Sequence, residues 1–132
     1  MQRSAEEGVF EEAPAEGVWS SPKEALARLE AAFGHLHERG GAIVVLTPVV
    51  SMAGAAQLGP LTAAVEGIRI LAKAAARQWG PHGIRVNCLA PAPEHLPIGV
   101  GSRGLALAPP ALGGPGDPAR DLGPIVAWLL GD

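Results

Sequence analysis

Few residues in this 132-residue chain have both the type and the spacing to do chemistry. His35 and His37 flank one residue, and imidazoles are common metal ligands. On a helix, however, positions two apart lie roughly 200° round the axis, so they share no metal-binding face. His82 falls in a turn, His95 in a Pro- and Gly-rich stretch, and Cys88 is the single cysteine; no metal site is expected. Glu66 and Arg69, at a spacing of three, suit a surface ion pair better than an acid/base couple. Gly99, Gly101 and Gly104 spell G-x-G-x-x-G, the pattern that brings a phosphate to a helix N-terminus. Here it follows "PEHLP" rather than a strand and precedes "LALAPP" rather than a sustained helix, so no phosphate site is expected. Cys88 reads as a small buried hydrophobe. That leaves Arg85 and Asn87, two polar residues inside the otherwise apolar "HGIRVNCLAPAP".

The elements that must position these residues can be read from periodicity and punctuation. In "SSPKEALARLEAAFGHLHERGG", Ser21 is an N-cap, Pro22 the first helical residue, Glu24 stands three after the cap, and Gly40-Gly41 is the stop, predicting a helix over 22–39. Leu26, Leu29, Phe33 and Leu36 form its apolar stripe. "AIVVLT" (42–47) is a short β-branched run that suits a parallel strand covered on both faces. "PVVSMAGAAQLGP" reads as a loop. A second helix follows over 61–79, with Leu61, Val65, Ile68, Ala72, Ala75 and Trp79 on one side, and "IRVNCLA" (84–90) gives a second strand. Strand, helix and strand in that order make a βαβ crossover. In the last segment, over 118–130, Asp117 is a cap and Pro118 fits the first turn. Ile125, Val126, Leu129 and Leu130 are apolar enough to dock, Pro124 limits the helix, and Trp79 and Trp128 are expected to pack.

Composition narrows the function class. With 48% hydrophobic residues the chain can bury one core. A net charge of −3 with ten dispersed Lys and Arg excludes a clustered nucleic-acid footprint. No stretch has the roughly 18 consecutive apolar residues of a membrane span. The acidic residues 1–19 read as an arm without the features of a signal peptide. A soluble, cytoplasmic protein is expected, with one cysteine excluding an internal disulfide.

"GGAIVVLTPVVSMAG", a helix, and then "GPHGIRVNCLAPA" resemble the fifth strand, fifth helix and sixth strand of short-chain dehydrogenases/reductases, the single-domain Rossmann family that moves hydride between NAD(P) and alcohols or ketones. Weaker likeness reaches "GVFEEAPAEGVW" and "DPARDLGPIVAWLLGD". The resemblance implies an α/β fold, a partial Rossmann-like three-layer unit with a parallel βαβ core over 20–132, with 91–117 as a lid-like segment. It implies that Arg85 and Asn87 are strand residues whose polar groups reach neighbouring loops, and that Asn87, Pro91 and Ala92 lie beside a nicotinamide. Glu94 and His95 fall where the lid begins.

The same resemblance identifies what is missing. Family catalysis uses a tyrosine proton donor, a lysine four residues later that lowers its pKa, and a serine thirteen residues before it. Those positions hold Leu61, Val65 and Pro48, and the chain has no tyrosine. Thr47, Ser51 or Thr62 could take the hydroxyl role after an alignment slip, but nothing replaces the phenol. The glycine-rich nucleotide turn and the final strand of the family also have no counterpart. The expectation is a non-catalytic subunit, binding no cofactor alone, that forms a homodimer or pairs with a full-length relative through helices 22–39 and 61–79. The alternative is an NAD(P)-dependent oxidoreductase acting on a ketone or alcohol in a site shared with another chain.

Overall fold

A computed structural model describes residues 21–56, 58–96, 114 and 116–131. The expected arm over 1–19, most of the lid and the G-x-G-x-x-G glycines lie outside the described residues. The elements are α1 (Pro22–Leu36), β1 (Gly41–Leu46), α2 (Val50–Ala53), α3 (Gly59–Trp79), β2 (Ile84–Leu89) and α4 (Gly123–Leu130). A 3-10 turn at Gly80–His82 leads into β2, another at Pro93–His95 follows it, and a π-type turn at Pro118–Leu122 precedes α4.

α1 begins as its sequence dictates: Ser21 Oγ accepts the Glu24 N–H at 3.3 Å, meeting one of the donors that a helix start leaves open. It ends three residues before the expected 39, because the Gly40 N–H turns back to Leu36 O at 2.7 Å with φ at 72°. Glycine is required at this turn. A Cβ on Gly40 would stand 2.9 Å from Gly83 O, where the chain enters β2. α3 starts earlier than expected, at Gly59, with Pro60 in its first turn where the missing N–H is harmless. α2 occupies the small-residue stretch expected to be a loop; at four residues it is too short to carry a periodic signal.

β1 and β2 pair in parallel, from Gly41 opposite Ile84 to Leu46 opposite Leu89. Side chains alternate across the pair. Ile43, Val45, Ile84, Val86 and Cys88 pack with the core formed by Ala25 and Leu29 of α1 and by Ile68, Ala72, Ala75 and Trp79 of α3. Phe33 stacks on Trp79, ring centroids 5.1 Å apart, and meets His82 edge-on at 5.2 Å. The apolar stripes of α1 and α3 are therefore spent inside the chain, leaving only outliers such as Leu26 and Ile70 exposed. Leu26 was expected in the stripe; the stripe is centred instead on Ala25 and Leu29, one position round the helix.

Arg85 projects to the opposite face and carries α4. Its Nη1 donates to Leu129 O at 3.1 Å and its Nη2 donates to Gly131 O, so the guanidinium closes the helix C-terminus where carbonyls lack partners. Helices thus lie on both faces of the parallel pair, a three-layer α/β unit. Asp117 is a cap as expected, but of the π-type turn rather than of α4: its Oδ1 accepts the Arg120 N–H at 2.8 Å, and the α-helix expected from 118 begins only at Gly123, with Pro124 in its first turn, where it is tolerated. The expected docking is only partial, and the packing role expected for Trp128 is overturned. Val126 and Leu129, three apart, are half-buried, while Trp128, about 100° round the helix from Leu129, is 78% exposed. No described helix is long and apolar enough to cross a membrane.

Candidate functional site

The C-terminal ends of parallel strands are where open α/β sheets place their ligands, and here that end is built largely from proline. After β1 the chain keeps its pairing for three more residues: Thr47 N–H donates to Leu89 O and Val49 N–H to Pro91 O, each at 3.0 Å. Pro48, Pro91 and Pro93 are buried around this junction. Ala92, half-buried and extended, accepts the His95 N–H at 3.0 Å, so the turn after β2 folds back immediately.

Three hydroxyls stand near this end, and each is occupied or enclosed. Thr47 is 2% exposed, and its Oγ1 has no hydrogen-bond partner among the described residues. Ser51, buried on α2, has Oγ 3.1 Å from Pro48 O and 2.9 Å from Glu66 Oε1, so its one proton serves these two acceptors. Thr62 Oγ1 donates to Gly59 O at 3.0 Å, within the first turn of α3. Leu61 and Val65 lie one turn apart on α3, half-buried and buried respectively.

Glu66 and Arg69 were expected to form a surface pair; they are instead partly buried and tie two helices together. Arg69 Nε donates to Glu66 Oε2 at 2.8 Å, its Nη2 reaches the same oxygen, and Ser51 holds Oε1. The Arg69 hydrogen bond, opposed by desolvation and assisted by Ser51, lowers the Glu66 carboxyl below its ordinary pKa. Burial pushes the neighbouring Cys88 thiol up, against the pull of Arg69 and Lys73. Ser51 and Glu66 are fifteen residues apart, and no sequence spacing announces their contact.

The expected nicotinamide residues lie at two places among the described residues. Pro91 and Ala92 belong to the proline junction. Asn87 sits opposite Val44 in the sheet and lines a cleft of about 550 Å³ with Arg85, Ile84, Val86, Ala76, Gly80 and the Trp128–Gly131 end of α4. His37 Nδ1 lies 3.0 Å from Gly34 O, a local helix-end contact. Among the described residues no group of three or more His, Cys, Asp or Glu is placed to hold a metal.

Residues 22–106 match the family model described as enoyl-(acyl carrier protein) reductase. The chain is also 34% identical over 82 residues to a (-)-trans-carveol dehydrogenase of Rhodococcus erythropolis. That alignment covers 62% of this chain and 28% of the dehydrogenase, so the chain spans less than a third of the relative it matches. No solved structure matches it.

Proposed function

The chain belongs to the short-chain dehydrogenase/reductase family, and from that premise we propose that it acts by association rather than by turning over substrate alone. One observation carries this reading: within the matched segment, the positions that family resemblance assigns to serine, tyrosine and lysine hold Pro48, Leu61 and Val65. Hydride delivery to a carbonyl carbon leaves an alkoxide that must be protonated. A proline and two aliphatic side chains have no proton to give. The nearby hydroxyls do not substitute, since Ser51 is engaged with Glu66 and a threonine proton is far less acidic than a lysine-assisted phenol.

The assembly is a homodimer or a complex with a complete dehydrogenase, and the chain alone binds no NAD(P). Calorimetric titration of the purified chain with NADH and NADPH, paired with a ketone-reduction assay, tests this. No heat of binding and no oxidation of cofactor are expected. Turnover by the chain alone would overturn the proposal. NAD(P)H binding that arises only with a second chain supplying a nucleotide loop and a tyrosine would replace it with an oxidoreductase whose site is shared.

A further inference from the structure

The hydroxyl of Ser51 has one proton and two acceptors, and the two belong to different elements. Pro48 O, 3.1 Å away, lies in the same turn as Ser51, whereas Glu66 Oε1, 2.9 Å away, lies on α3. Charge decides between them. A hydrogen bond to an ionised acceptor is roughly twice as strong as one between neutral groups, and a neutral carboxyl oxygen is a poorer acceptor than an amide carbonyl. The charged and neutral forms of Glu66 therefore send one proton to opposite partners, across to α3 or back into α2. The chain around α2 suits such a choice. Val50 is 1% exposed yet stands outside the cluster that joins α1, α3 and both strands. Ala53, Gly54, Ala55 and Ala56 carry at most a methyl group with which to grip α3. Gly54 ends α2 at a φ of 74°, and on the other side the Val49 N–H is fixed on Pro91 O. Residues 50–56 lie between these two points and the start of α3.

We infer that Ser51 and Glu66 form an acid-released latch: residues 50–56 are held on α3 while the Glu66 carboxylate is charged and come away when it is neutralised, with α1, β1, α3 and β2 still packed. The groups that face Glu66 are Arg69 and Lys73 from α3 and Cys88 from β2, and α2 brings no titratable side chain. Both cations favour the charged form. The Arg69 hydrogen bond, the largest influence, lowers the carboxyl from its ordinary 4.5, so the latch is closed above that value and gives way as pH falls through the lowered one. Release strands no polar group. The Ser51 proton has Pro48 O or water, and Arg69, its side chain a quarter exposed, turns to solvent. The segment follows the carboxyl end of β1, where open α/β sheets take their ligands, so the latch sets the shape of that end.

Amide hydrogen exchange on the full chain tests the latch through the Met52 and Gly54 amides, which donate to Val49 O and Val50 O inside the turn. A four-residue helix has no stability of its own, so these amides lose protection once the segment leaves α3. Between pH 7 and pH 3 their protection factors are expected to fall at least tenfold further than those of β1 and β2. Ser51→Ala is expected to show the lowered protection already at pH 7, with unchanged circular dichroism and no further preferential loss in acid. Turn amides that follow the strand amides at every pH overturn the inference. A Ser51→Ala chain whose turn is protected like the native one at pH 7 overturns it as well.

Discussion

At the scale of single residues, two side chains hold testable free energy. Thr47 keeps a hydroxyl out of water without a partner among the described residues, and an unmet buried polar group costs more than its replacement by a methyl. Thr47→Val is accordingly expected to raise stability by about 1 kcal/mol in urea unfolding. Glu66 carries a pH dependence whose sign follows from its environment. Its folded pKa is lowered from the ordinary 4.5, chiefly by the Arg69 hydrogen bond. The folded state thus binds fewer protons there than the unfolded one, and the stabilisation is complete above pH 4.5 and is lost as pH falls through the depressed folded value. Urea midpoints between pH 7 and pH 3 are expected to fall more steeply for the native chain than for Glu66→Gln.

Elements were legible where they carried their own punctuation, and obscure where distant contacts decided. Ser21, Pro22 and Asp117 act at the helix starts to which their types point, and the β-branched runs become strands within a residue of expectation. Arg85 was visible as an odd residue in a strand, and its polar group was expected to reach neighbouring loops. Its target, the end of a helix some 44 residues on, was not. The Ser51–Glu66 contact was hidden for the same reason, since spacing along a chain encodes neighbours on one element and not across two. That Pro48, Leu61 and Val65 stand where the family resemblance assigns serine, tyrosine and lysine is read from residue identity alone, which needs no geometry. Arg85→Met keeps the aliphatic stem and removes the donors to Leu129 and Gly131. Amides over 127–131 are expected to exchange roughly three- to tenfold faster, with β1 and β2 unaffected.

For the whole molecule, one hydrophobic cluster joins α1, α3 and both strands, and α4 contributes nothing to its buried set. Leu29, 2% exposed at the α1 contact, is expected to cost about 2 to 5 kcal/mol when replaced by alanine, read as a shift in urea midpoint. The prolines at the strand ends add a further property. Pro91 lacks an amide proton, so past Leu89 the two strands are stitched only from the β1 side. Sliding β2 two residues backward along β1 would bring that ring where a donor is needed and leave a strand carbonyl dry. The junction thus works as a ratchet tooth, opposing slippage of β2 in one direction.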